Sequence, residues 1–210
     1  MTHVLCRTTG GDLCLPDLKT IMIDRADGGQ LVVNPPRRVW ERTALTPPEL
    51  QAWNLLIAAA GQAMLDCLPQ LDGGCVNYWD AGNWALNAAA EPAGEKRGPD
   101  HRVLHQHLIG RSRRSADPDW RWGESPFFPM FANRFAWSMG KTPLTPGECA
   151  SIVARTGEVL IGVYTVPASD IEPGATCAVC GYPVPAALCD SEGCCATCAA
   201  AARLPPALTP

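Results

Sequence analysis

Two Cys-x₂-Cys pairs, Cys177/Cys180 and Cys195/Cys198, stand fourteen residues apart near the C-terminal end of the chain. Thiolates at this spacing sit on two tight turns and can close a tetrahedral sulfur shell around one ion. Gly181, just after the second cysteine, suits such a turn. The chain has eleven cysteines. Cys6, Cys14, Cys67, Cys75 and Cys149 are scattered, and six lie between Cys177 and Cys198. Clustering of this kind points to metal binding in a reducing compartment rather than to a disulfide framework. The expected ion is Zn²⁺. A four-cysteine shell has no open position, so the zinc is structural and stabilises a segment too short for a core of its own. Cys189 and Cys194 are left over, and Cys194 is an alternative to Cys195 as ligand.

The remainder is long enough for one sizeable domain. Of 210 residues, 47% are hydrophobic and 18% charged. Boundaries are expected at 1–17 (an N-terminal extension), 18–170 (the main domain), 171–203 (the cysteine module) and 204–210 (a tail). Residues 20–24 and 31–33 read as a hairpin around Gly28-Gly29, stopped by Pro35-Pro36. Arg37 and Arg38 read as a solvated charged edge. Thr46-Pro47-Pro48-Glu49 is a capping box with proline at the first helical position. It opens a helix expected to reach about Leu68, with Trp53 in the core. Residues 75–80 and 84–87 read as strands, or as one interrupted strand. Residues 103–109 read as a further strand. Thr145-Pro146-Gly147-Glu148 opens a second helix, expected to stop at Gly157, followed by a β-rich run at 159–166. Residues 111–130 carry Trp120, Trp122, Phe127 and Phe128 among prolines, as the wall of a pocket or as a packed surface loop.

Two of the chain's four histidines lie one residue apart, in Val103-Leu104-His105-Gln106-His107-Leu108-Ile109-Gly110-Arg111. On a strand, alternate residues share a face, so both imidazoles present to one surface. A neutral imidazole is a good nucleophile toward phosphorus, and it is mostly neutral at pH 7. A second imidazole on the same face can donate a hydrogen bond to a non-bridging oxygen. Arg111 and Arg113 are candidates for distal phosphates. Two blander readings stay open: two satisfied strand histidines, or a metal site completed by Asp100 or His101.

His105-Gln106-His107-Leu108-Ile109-Gly110-Arg111 resembles the end of the histidine triad (HIT) signature, His-φ-His-φ-His-φ-φ with φ apolar. Gly28-Gly29-Gln30-Leu31-Val32-Val33-Asn34-Pro35 resembles that family's Gly-His-x-Leu-Val-x-Pro strand, and Thr46-Pro47-Pro48-Glu49-Leu50 resembles its helix start. The resemblance covers roughly residues 18–115. It implies an α+β fold, a HIT-like antiparallel sheet with flanking helices, followed here by a small C-terminal four-cysteine, zinc-ribbon-like module. It implies His105 as nucleophile and His107 as phosphate contact. Asn87, or its competitor Asn83, takes the position of the family's substrate-binding Asn. In a shifted register His107 is the nucleophile and Ile109 fills the third position. Val103 stands where the family has its first histidine, and Gln106 fills an apolar position.

By the same resemblance the chain is a nucleotide hydrolase or nucleotidyl transferase acting at the α-phosphate of a dinucleoside polyphosphate or nucleoside phosphoramidate. It would pass through a nucleotidyl-histidine and need no metal at the histidines. A homodimer is also implied. The alternative is a nucleotide-binding protein without turnover, with the zinc module as an interaction site. The net charge of -4 and pI near 5.5 argue against a nucleic-acid partner. No run of about 18 apolar residues and no signal-peptide pattern are present, so no membrane partner and a cytoplasmic location are expected.

Overall fold

The structure, a computed structural model, describes residues 3–202, so the expected tail at 204–210 lies outside the described residues. Strands β1 (His3–Thr8), β2 (Gly11–Leu15), β3 (Gln30–Asn34), β4 (Cys75–Ala81) and β5 (His105–Arg111) form one antiparallel sheet in the order β1-β2-β3-β5-β4. A second, two-stranded sheet pairs β6 (Gly174–Thr176) with β7 (Pro183–Pro185). The helices are α1 (Pro47–Cys67), α2 (Gly98–His101), α3 (Arg134–Ser138), α4 (Pro146–Gly162) and α5 (Ala196–Ala202). The α+β architecture expected from the sequence is present: an antiparallel sheet, flanking helices and a C-terminal cysteine module.

Both capping boxes form. The Thr46 backbone N–H donates to the Glu49 carboxylate at 2.8 Å, and the Thr145 N–H donates to Glu148 at 2.7 Å. Each satisfies a group the first helical turn leaves unpaired. Helix α1 lies on one face of the sheet and α4 packs along α1. Between them and the sheet sits the main core, with Leu13, Leu31, Val33, Leu104, Leu108, Trp53, Met64 and Ile152 all fully buried. The opposite face carries a smaller cluster of Met22, Ile23, Ile109 and Trp120, with Trp79, Trp84 and Phe128 packed against it. Strand β5 therefore turns Gln106 and Leu108 toward α1, as does Leu104 just before it, and His105, His107, Ile109 and Arg111 toward the second cluster.

Four expectations change. Residues 1–17 are not a mere extension. Their Gly10-Gly11 turn joins β1 to β2, and β2 pairs with β3 through Leu13↔Val33. Residues 20–24 form no strand, although Ile21, Met22 and Ile23 are buried, because side chains take backbone groups of this segment. The Met22 N–H donates to Gln30 Oε1, and the Ile21 and Met22 carbonyls accept from Ser138 and Trp137. Residues 83–86 make a 3-10 turn instead of a strand. Helix α4 continues through Gly157 to Gly162, because Val159 and Leu160 lie on its buried face and hold the last turns to the core.

One glycine pair decides how the sheet closes. A Cβ on Gly110 would stand 2.1 Å from the Gly28 carbonyl oxygen, and Gly28 itself has φ 139°. Only glycines allow this approach. It lets the Gly110 N–H bond to Gly29 O at 2.9 Å, which brings Gln30, the next residue, beside His107.

The cysteine module is docked against the sheet. Thr8 bridges Ile171, Glu172 N–H donates to Arg7 O, and the Tyr182 hydroxyl donates to Leu144 O at 2.8 Å. No helix among the described residues is long and apolar enough to cross a membrane.

Candidate functional site

His105 and His107 sit in β5, an interior strand hydrogen-bonded on both sides, to β3 and β4. His107 lies opposite Val32 of β3 and Trp79 of β4. The strand pleat alone puts both rings on one face. Their centroids are 4.9 Å apart and nearly perpendicular. Both line a cavity of about 260 Å³ with Thr20, Met22, Trp79, Gly82, Asn83, Trp84, Ala85 and Val103. Trp79 stacks near His107 at 5.6 Å and is backed by Phe128 at 4.0 Å.

The hydrogen bonds assign the two rings different protons. His105 Nδ1 lies 3.0 Å from the Val103 carbonyl. A carbonyl only accepts, so Nδ1 carries the proton and Nε2 keeps its lone pair. His107 Nδ1 lies 2.8 Å from Gln30 Nε2, while Gln30 Oε1 is taken by the Met22 N–H at 2.9 Å. That N–H fixes the carboxamide, so Gln30 donates and His107 Nδ1 accepts. The His107 proton is then on Nε2. No protein hydrogen-bond partner is found for either Nε2 among the described residues. The pair thus offers the cavity one lone pair and one N–H donor.

Both rings are held neutral. Burial lowers the proton affinity of His105, with the Val103 carbonyl opposing the shift. Burial, and then the neighbouring His105, push His107 down to about 3. No carboxylate lines the cavity, and the Asp80 carboxylate on β4 opposes the shift of His105 less than burial drives it.

The other expected residues separate. Asn83 lines the cavity. Asn87 does not: its Oδ1 accepts from the Ala89 N–H at 2.9 Å and closes its own turn. Arg111 shares the histidine face but is 4% exposed, and its guanidinium donates to the carbonyls of Arg121 at 2.7 Å and Glu124 at 3.1 Å. It ties the 120–128 loop to the sheet and is not available to a phosphate. Arg113 lies over the Trp122 ring, 5.8 Å from its centroid, and does not line the cavity. No Lys or Arg lines it. Asp100 and His101 do not gather with the histidine pair as metal ligands would; among the described residues only the cysteines do so.

Sequence reasoning missed Gln30, Trp79 and the Val103 carbonyl. Gln30 had a signal: it is a polar residue opening an otherwise apolar strand. Gln106, in an apolar slot of the motif, is explained from the other face. It is 4% exposed and accepts from Arg42 at 2.9 Å, and Arg42 lies over the Trp53 ring.

The ligand atoms of Cys177, Cys180, Cys195 and Cys198 all lie within 4.8 Å of one another, so the set can hold a metal ion. Backbone amides favour the charged sulfur. The Cys195 N–H points at Cys177 Sγ at 3.3 Å. Burial opposes ionisation of Cys177, but N–H donors from Cys180, Cys195 and Val179 bring its thiol down to about 6. Gly181, at φ 74°, closes the first turn with its N–H on Cys177 O.

No protein-family model matches the chain, and no curated protein matches it. Among solved structures, a histidine triad protein from Marinobacter aquaeolei VT8 is similar at 22% identity and a TM-score of 0.43. The match covers 77% of this chain and 90% of that chain. At this identity and TM-score the likeness says nothing about the chemistry of the histidines.

Proposed function

We propose that the chain is a nucleotide hydrolase or nucleotidyl transferase that works through a covalent histidine intermediate. The observation that carries this reading is the complementary protonation of the pair: a lone pair at His105 Nε2 beside an N–H donor at His107 Nε2, both facing one cavity.

The His105 Nε2 lone pair attacks the α-phosphorus of a nucleoside phosphate, and the bond from phosphorus to the leaving group breaks. The leaving group departs with its electron pair and takes a proton from solvent. The phosphorylated imidazole becomes cationic, and its Nδ1–H bond to the Val103 carbonyl strengthens as that charge develops. His107 Nε2–H donates to a non-bridging oxygen. Water, or an acceptor hydroxyl, then attacks phosphorus from the opposite side and loses its proton to solvent, while the N–P bond breaks and returns its electron pair to His105 Nε2. Trp79 and Trp84 offer aromatic surface for the base.

With Arg111 and Arg113 committed elsewhere, distal phosphates meet no fixed cation in the cavity lining. This favours a phosphoramidate over a dinucleoside polyphosphate. The same absence supports a second reading, a nucleotide-binding protein without turnover. The metal at the four cysteines is read as zinc, since four thiolates in a closed set suit that ion and leave no position for substrate.

The test is hydrolysis of a fluorogenic adenosine phosphoramidate by the wild type and by His105→Ala. The wild type should turn over and His105→Ala should be inactive while keeping its fold and its nucleotide affinity. Full activity in the variant would refute the mechanism. Nucleotide binding without any product from the wild type would select the second reading.

A further inference from the structure

Gln30 has no place in the sequence motifs beyond filling a variable position, yet it is only 2% exposed and makes two directional contacts. Its Oε1 accepts from the Met22 backbone N–H at 2.9 Å, and its Nε2 lies 2.8 Å from His107 Nδ1. A carboxamide can turn over and exchange its two ends. Here it cannot, because a flipped amide would set two N–H donors against each other at Met22. Met22 is in turn held in place: its carbonyl accepts from Trp137 Nε1 at 3.0 Å, and Ser138 holds the preceding carbonyl. The chain of bonds therefore runs from a fixed backbone amide through Gln30 to one nitrogen of His107.

We propose that Gln30 is a positioning residue that keeps His107 in the tautomer protonated on Nε2, so that the ring always presents a hydrogen-bond donor to the cavity. This rests on the reading of His105 and His107 as the reacting pair, and it adds the group that tells the two rings apart. An imidazole left to itself exchanges tautomers. In the other tautomer His107 would turn a lone pair toward the phosphoryl oxygens, where it repels charge instead of stabilising it. The register of β3 against β5 sets the arrangement. Gln30 pairs with Ile109 and Val32 pairs with His107, so the Gln30 side chain reaches diagonally to the ring on the same face.

The discriminating variant is Gln30→Glu, which keeps the shape and the acceptor for Met22 but replaces the donor at His107 with a second acceptor. Nitrogen-15 NMR of the imidazoles in the full chain at pH 7 reads the protons directly. The wild type should show His107 protonated on Nε2 alone. Gln30→Glu should show the His107 proton on Nδ1, or on both nitrogens. With the phosphoramidate substrate, kcat of Gln30→Glu should fall roughly tenfold or more, as expected when a reacting histidine is set in the wrong tautomer, with KM little changed. Its pH profile should shift, because the carboxylate lets His107 keep a second proton. Gln30→Met, which cannot hydrogen-bond at all, should show a mixture of tautomers. A wild-type His107 protonated on Nδ1, or one tautomer shared by all three proteins, would overturn the proposal. The two readings fail separately. Tautomers as expected in a protein that never hydrolyses nucleotides would leave Gln30 its role and remove the nucleotidyl-transfer reading. Unchanged tautomers beside His105-dependent hydrolysis would do the reverse.

Discussion

Protonating His107 should cost the folded chain stability between pH 7 and 4.5. Folded, the ring takes a proton only near pH 3; unfolded, it does so near 6.5. The unfolded chain therefore binds more protons throughout that window. His107's share of stability is fully present above about pH 6.5 and is lost as pH falls toward 3, at up to about 1.4 kcal/mol per pH unit. Integrated from pH 7 to 4.5, the loss is about 2.5 kcal/mol. Other groups titrate in the same range. Burial raises Glu148, but Arg25 and Thr145 hold it down to about 2, and thiolates compete with protons for the metal. A double difference removes them. Urea unfolding of the wild type and of His107→Gln at both pH values should show the wild type losing about 2.5 kcal/mol more than the variant on acidification. Gln can still accept the Gln30 donor but has no proton to gain. Parallel curves, differing by less than about 0.5 kcal/mol, would refute the assignment of a neutral, buried His107.

Arg111→Met should lower stability by about 2–3 kcal/mol, since three carbonyls lose a charged donor; its effect should appear in thermal unfolding and in the order of the 120–128 loop rather than in phosphate affinity. Trp53→Ala should cost about 3–5 kcal/mol, because Trp53 is fully buried between α1 and the sheet. Asn83→Ala should weaken nucleotide binding in calorimetry while Asn87→Ala leaves it unchanged, as Asn87 serves its own turn. Elemental analysis of the full chain should find one equivalent of zinc, absent in Cys198→Ser.

What could be read in the sequence was what depends on near neighbours. Both helix starts were legible because a capping box is complete within four residues. The cysteine set was legible because Cys-x₂-Cys turns bring their own ligands together. The facing of His105 and His107 followed from the strand repeat. Contacts made at long range were not legible. Strands β1 and β2 have ordinary local patterns and join the sheet because β2 pairs with β3 and β1 pairs with β2. Residues 20–24 look like a strand in every local respect, but Gln30, Trp137 and Ser138 took the backbone groups a partner strand would need. Gly157 was read as a stop because glycine weakens a helix locally, and burial of Val159 and Leu160 outweighed it. Arg111 looked like a phosphate ligand by its nearness to the histidines. Only the loop folding back over it shows that the side chain is buried and its Nη2 is spent on carbonyls.

The segment 170–185 runs along the outer edge of β1, with Thr9 N–H on Asp170 O, Glu172 N–H on Arg7 O and His3 against Tyr182 and Cys195. A sheet of this order has two open edges, and an open edge is a template for another chain. The cysteine module closes one of them. Loss of the ion would slacken the strap that covers β1 and expose a row of unpaired amides on an otherwise intact sheet. Metal status would then show first as self-association, a change in solubility and light scattering, before it shows as unfolding.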